Sequence, residues 1–167
     1  MGNLSSIRDF YEWHLSLGKI KRAERELAGV KEQEREQMKH IRAIEHQIEG
    51  MPTDTPDQQI ERMLKEQELW MLKKEWERNG NELIEKRFSL EQFLQLSRLE
   101  AEERQAKCNP EWLKEYDRLL ETKKNPVVEV KNKSCMGCFM PLSTSNFDKW
   151  RRGKGLVYCD ECERILV

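Results

Sequence analysis

The sequence predicts a mainly α-helical protein: a long antiparallel helical hairpin, a short connecting helix and a small C-terminal β ribbon. Three observations predict it. Ala, Glu, Lys, Leu and Arg supply 78 of the 167 residues and 55 of the first 107, near the ~50% that marks coiled coils and long helices. Two proline-free apolar repeats flank a break that contains Gly50, Pro52 and Pro56. Four of the five cysteines form two CxxC pairs within the last 33 residues.

The first helix is expected from about Leu4 to Glu49. Trp13, Ile20, Ala23, Leu27, Val30, Ile41, Ile44 and Ile48 recur at heptad-like intervals, an a/d seam interrupted by Glu34 and Gln37. Glu, Lys, Arg and Gln fill the flanks, as solvated positions require. A helix of this length cannot bury its stripe alone and needs a partner.

The turn is Gly50-Met51-Pro52-Thr53-Asp54-Thr55-Pro56, with a new helix starting near Pro56 or Asp57. The second helix runs to about Lys107 and carries Ile60, Leu64, Leu69, Leu72, Trp76, Leu83, Leu90 and Phe93 in its seam. Ile84, Phe88, Leu94, Leu96 and Leu99 fall off that line, so the stripe is wider than a strict seam. Asn79-Gly80-Asn81 and the capping-box sequence Ser89-Leu90-Glu91-Gln92 are two places where it could be interrupted; a kinked continuous helix is the preferred reading. Trp13, Trp70, Trp76 and Phe93 are read as core packing. Residues 1–107 are thus assigned to the hairpin, 108–126 to a connecting helix and 127–167 to the ribbon.

Asn109-Pro110-Glu111 reads as the start of the connecting helix, with Asn as cap and Pro at the first position. Asn125-Pro126 ends it. Val127-Val128-Glu129-Val130 is β-branched and reads as a strand.

Cys135-Met-Gly-Cys138, twenty residues, then Cys159-Asp-Glu-Cys162 is zinc spacing. Two facing CxxC turns supply the four thiolates that a tetrahedral Zn²⁺ prefers, and four protein ligands leave no position for a catalytic water. The expectation is one structural Zn²⁺ in a segment too short to hold itself together by apolar burial. Cys108 stands apart and reads as a small buried side chain. Free thiols, the absence of a signal sequence and of an 18-residue apolar run point to the cytoplasm and away from membranes. The start MGNLSS matches a myristoylation pattern, without the second signal that stable anchoring needs.

Residues 110–167, above all PEWLKEYDRLLETKKNPVVEVKNKSCMGCFMPL and RRGKGLVYCDECERIL, resemble the bacterial coiled-coil proteins with a C-terminal four-cysteine zinc ribbon. In that family a helix with a central Tyr, here Tyr116, leads through a valine-rich strand into CxGC. A Gly-containing turn, an aliphatic strand, CxxC and Arg-Ile-Leu follow, matched by Gly153, Gly155, Leu156, Val157 and Arg164-Ile165-Leu166. Two positions depart: Glu163 replaces the usual Gly after the last cysteine, and Asn125-Pro126 replaces a Gly before the strand. The resemblance implies a non-enzymatic regulator, associated in some members with an alternative sigma factor, flagellar biogenesis, secretion machinery or messenger RNA.

Two further groups suggest partners. Lys149-Trp150-Arg151-Arg152-Gly153-Lys154, read as turn-like, sets four cations around an indole, a pattern suited to the phosphates and bases of RNA or DNA. In the alternative, Trp150 packs over the ribbon core and the cations are solvated. At the hairpin tip Asp54 lies between Pro52 and Pro56 and Asp57 follows Pro56, an acidic tip similar to that of factors entering the secondary channel of bacterial RNA polymerase; the alternative is ordinary turn and cap chemistry. The chain carries a net charge of −1, so any charge-driven recognition must be local. No phosphate loop, GxSxG or HExxH occurs. The sequence therefore reads as an adaptor or regulator, not an enzyme, with a protein partner, RNA or DNA at the ribbon, and no small-molecule substrate. A polymerase-channel factor and a purely structural scaffold or chaperone are the alternatives.

Overall fold

The computed structural model describes residues 6–167; the MGNLSS pattern and a helix onset near Leu4 fall on or reach into residues 1–5, outside it. In chain order the elements are α1 (Ile7–Glu49), α2 (Pro56–Lys107), α3 (Pro110–Leu120), β1 (Val127–Val128), β2 (Val130–Lys131), β3 (Ser134–Cys135), α4 (Thr144–Arg152) and β4 (Ile165–Leu166). The long helices α1 and α2 pack as a hairpin. The chain divides into two compact units, Lys21–Leu96 and Met1–Ile20 with Ser97–Val167.

In the first of these units α1 buries Ala23, Val30, Ile41, Ile44 and Ile48, the seam its spacing predicts, with Leu27 half-buried. Glu34, one of the two seam breaks, is paired: Arg87 Nε lies 3.1 Å from its carboxylate. Lys73–Glu45 at 2.7 Å and Lys31–Glu91 at 3.4 Å fix the same antiparallel register. The tip is held by a capping box that was not anticipated. Gln58 N donates to Thr55 Oγ1 while Gln58 Oε1 accepts from the backbone N–H of Asp54 and Thr55.

Helix α2 passes unbroken through Asn79-Gly80-Asn81 and Ser89. Gly80 is buried because the Trp76 indole lies over it, 2.9 Å from where a Cβ would stand; the glycine makes room for a ring one turn away. Part of the expected seam is corrected here. Leu94, off the predicted line, is buried, whereas Ile60, Leu64 and Phe93 on it are exposed, as is Trp70. The reason is geometric: a 3.6-residue helix drifts from a strict 3.5 repeat, so over 52 residues the buried line slips by a position.

The second unit gathers the first turns of α1, the end of α2, α3 and the ribbon. A capping box starts α1, with Ser6 N and Oγ both 2.8 Å from Asp9 Oδ2 and Asp9 N donating back to Ser6 Oγ. Asn109 caps α3 as predicted, accepting from Glu111 N at 3.0 Å. Phe10, Trp13, Cys108, Tyr116, Leu119, Val127 and Ile165 form one core. Trp13 and Tyr116 meet edge to face at 4.8 Å, and Phe10 meets Tyr116 at 5.9 Å, the arrangements aromatic quadrupoles favour. Burial pushes the Tyr116 phenol up to about 12, and its hydroxyl lies 2.7 Å from His14 Nδ1.

The predicted four-residue strand is split. Val127 and Val128 pair in parallel with Ile165 and Leu166, while Val130–Lys131 pairs antiparallel with Ser134–Cys135. Asn132 and Lys133, at φ 52° and 59°, make the hairpin turn between them. Successive strand residues face opposite sides. Val127 and Ile165 therefore join the aromatic core, while Val128 and Leu166 join a second cluster around Cys135, Cys159 and Val157. Among the described residues no helix is long and apolar enough to cross a membrane.

Candidate metal centre

Each CxxC sits on its own tight turn, and the two turns repeat one backbone pattern. In the first, Cys135 ends β3 and Gly137 N–H donates to its Sγ at 3.3 Å. Phe139, directly after the second cysteine, is left-handed at φ 62° and its N–H bonds Cys135 O at 2.8 Å. In the second, Glu163 follows Cys162 at φ 60° and its N–H bonds Cys159 O at 3.0 Å. The Glu163 departure thus leaves the knuckle closed in a conformation that suits glycine.

The four sulfurs lie within 4.8 Å of one another. Cys135 and Cys162 Sγ are 3.7 Å apart, and Cys138 and Cys159 Sγ 3.6 Å. A tetrahedron with Zn–S bonds of about 2.3 Å has edges of about 3.8 Å, so the donor set fits Zn²⁺. This is a four-thiolate site for one structural zinc ion. Burial raises the Cys135 thiol and takes Cys159 up to about 12. Burial also opposes ionisation of Cys162, but the backbone and side chain of Arg164 and the neighbouring thiols outweigh it and bring that group down to about 7. The metal's charge stabilises the remaining thiolates when it binds.

Arg164 is the residue whose role the spacing did not reveal. Its side chain crosses Gly137, with Cδ 2.7 Å from where a Cβ would be. Its Nε donates to Asn125 O at 2.9 Å, tying both knuckles to the end of the connecting segment. Asn146 does similar work on the other side, donating to Tyr158 O at 3.0 Å and Asp160 Oδ1 at 2.6 Å. Tyr158 in turn donates to Glu115 of α3 at 3.0 Å.

The segment around Lys149 is a helix, not a turn. Ser143 caps α4 by accepting from Asn146 N, and Gly153 ends it in a left-handed conformation at φ 63°. Lys149, Arg151, Arg152 and Lys154 are exposed, three of them in the last helical turn, where cations also complement the helix dipole. Trp150 packs against the zinc cluster and lies 5.5 Å from Phe147, as the packing alternative expected. Asp54 and Asp57 are exposed at the hairpin tip, in the unit that does not contain the cysteines. Asp57 occupies the first turn of α2, where its charge complements the helix N-terminus. Cys108 is buried, its thiol 3.2 Å from Arg104 O.

Residues 134–166 match the model of a C4-type zinc ribbon domain, so the C-terminal region is a zinc ribbon of that type. No curated protein matches the chain. Two solved structures are similar to it. CT398 from Chlamydia trachomatis is 22% identical with a TM-score of 0.41, and the HP0958 protein from Helicobacter pylori is 18% identical with a TM-score of 0.39. Each alignment covers 96% of this chain and 84% of the other.

Proposed function

We propose that the protein is a non-enzymatic zinc-ribbon adaptor in which the hairpin carries a protein partner and the ribbon docks on the phosphates of RNA or DNA. The observation that carries the reading is the end of α4: Lys149, Arg151, Arg152 and Lys154 are exposed on a helix whose Trp150 is seated on the zinc cluster. The helix and the Trp150 contact fix where the four cations start, so binding orders their side chains but not the backbone that carries them. The metal is closed off by four protein sulfurs and serves that support, with no open position for substrate. With Zn²⁺ and four thiolates counted, residues 135–167 sum to about −1, which confines attraction to this local patch.

Four neutralised phosphates on a single strand give a log–log salt slope of about −3. Electrophoretic mobility shift with mixed RNA and DNA oligonucleotides should therefore show affinity falling about fifty-fold between about 50 and 200 mM salt. Arg151→Glu with Arg152→Glu should abolish the shift while zinc content stays at one per chain. Affinity indifferent to both salt and these substitutions would remove the ribbon from the site.

A further inference from the structure

Helix α2 carries large apolar residues on two opposite sides, and only one of them faces α1. The other carries a second seam that steps by three and four residues from Met63 to Leu96 and is exposed at every position. Its large apolar members are far from buried: Met63 is 61% exposed, Met71 59%, Phe88 60% and Leu96 63%. A shallow groove lined by Leu64, Gln67, Trp70, Met71, Lys74 and Arg78 lies along the seam's N-terminal half.

The second seam reads the same in both directions. About a point midway between Asn79 and Gly80, Met71 mirrors Phe88 and Met63 mirrors Leu96, with Gln67 mirroring Gln92 between them. Nearer the centre, Lys74 mirrors Glu85 and Arg78 mirrors Asn81. The intervals are also palindromic: four, four, three, four, three, four, three, four, four. An antiparallel two-fold interface needs this property, because residue i meets j while j meets i.

From this pattern we infer that the outer face of α2 binds the outer face of α2 in a second copy of the chain, antiparallel, about a two-fold axis beside Asn79-Gly80. The inference is independent of the ribbon's function. Methionine, leucine and phenylalanine pair with one another on both arms of the seam. At the centre Lys74 of each copy faces Glu85 of the other, and Arg78 meets Asn81. Six of the ten seam positions are polar, and polar residues in a seam fix register at some cost in stability. A wrong register would set Met71 against Lys74 or Glu85 against Glu85. Lys74 already has an ion pair with Glu77 of its own chain at 2.9 Å, which leaves two of its three donors for Glu85 of the second copy.

The area suffices. Met63, Met71, Phe88 and Leu96, with Leu64, Trp70 and Ile84 flanking them, are each 44–63% exposed. At roughly 100 Å² apiece they offer about 700 Å² per chain, against about 800 Å² per partner in a standard stable interface; the polar seam residues supply the remainder.

Sedimentation equilibrium on the full zinc-loaded chain tests this. A concentration-dependent dimer is expected, with Met71→Glu or Phe88→Glu monomeric at about 50 µM and unchanged in far-ultraviolet circular dichroism. Lys74→Glu and Glu85→Lys should each weaken the dimer about tenfold, as two like-charge contacts per dimer imply. Combining them should restore affinity to within about threefold of wild type. These positions lie eleven residues apart, about 16 Å along one helix, so they cannot compensate each other within a chain. If the Met71 and Phe88 variants misfold, the charge exchange decides. A chain monomeric at about 200 µM leaves the face to a different protein and overturns the inference. A dimer indifferent to the single charge substitutions, or not restored by the double one, overturns it too.

Discussion

Arg164 lies across Gly137 so closely that a single methyl group there would stand 2.7 Å from Arg164 Cδ and 3.0 Å from its Nη1. The contact joins one zinc knuckle to the segment that follows the other. The same guanidinium bonds Asn125 O at 2.9 Å, so it cannot move aside without losing that bond. Gly137→Ala should cost about 1–3 kcal/mol of ribbon stability. In an Arg164→Ala background the same change should cost nearly nothing, because the obstructing side chain is gone. A double-mutant cycle by chemical denaturation of the zinc-loaded protein measures this coupling; additive effects would show that the two residues act independently.

Glu163 holds a left-handed backbone at φ 60°, which costs a non-glycine residue about 1–2 kcal/mol. Glu163→Gly relieves that cost, partly offset by the greater chain entropy of unfolded glycine. A net gain of up to about 1 kcal/mol is expected, read as a higher denaturation midpoint at constant slope. The matching Phe139, at φ 62° and 72% exposed, should respond to Phe139→Gly in the same direction. A loss of stability at both positions would refute the strain argument.

Tyr116 couples a buried phenol to His14. Tyr116→Phe removes one hydrogen bond and should cost about 1 kcal/mol near neutral pH. The phenol is raised to about 12 in the fold, against about 10 in an unfolded chain. Its protonated form is therefore favoured by folding, and the stabilisation is intact below about pH 10 and is lost between about pH 10 and 12. Unfolding free energies measured across that range should fall more steeply for wild type than for Tyr116→Phe. Parallel curves would mean that this phenol titrates as freely in the folded chain as in the unfolded one.

Zinc removal should be felt beyond the cysteines. Leu166 belongs to the zinc cluster and Ile165, its neighbour, to the aromatic core. In a Trp150→Phe variant, which silences the indole nearest the metal, chelation should still reduce the near-ultraviolet circular dichroism of the Phe10, Trp13 and Tyr116 cluster. Far-ultraviolet signal from α1 and α2 should largely persist. Near-ultraviolet spectra unchanged by chelation would confine the metal's influence to its own side of the β1/β4 ladder.

The parts legible in the sequence were those set by repeating local chemistry. The α1 seam is legible residue by residue from Trp13 to Ile48, because one face of one helix buries one line of side chains. The zinc ligands were equally plain, since CxxC spacing alone brings two sulfurs to one turn. Helix α2 is less legible for a physical reason: its apolar residues spread beyond one line and the buried line drifts from a strict 3.5 repeat, so spacing does not separate buried Leu94 from exposed Phe93. The α4 helix leaves little trace in the sequence because its signals, Ser143 as cap and Gly153 as stop, flank a stretch of low apolar content. Arg164 and Asn146 were invisible for another reason. Their partners, Gly137, Asn125 and Tyr158, are brought to them by tertiary folding, and sequence distance carries no trace of it.

The parallel ladder between β1 and β4 has a consequence for chain entropy. Pairing Val127 with Ile165 closes a loop of about 38 residues for only two rungs of hydrogen bonding. Once the metal has clasped Cys135 to Cys162, the open length falls to about eleven residues. By loop-closure scaling that shortening reduces the cost by about 1 kcal/mol. The ladder is thereby linked to the ion: metal bound at the four cysteines lowers the cost of closing β1 on β4, and Ile165 carries that linkage into the core of Phe10, Trp13 and Tyr116. Without zinc, seating Ile165 in that core carries the full entropy cost of the longer loop.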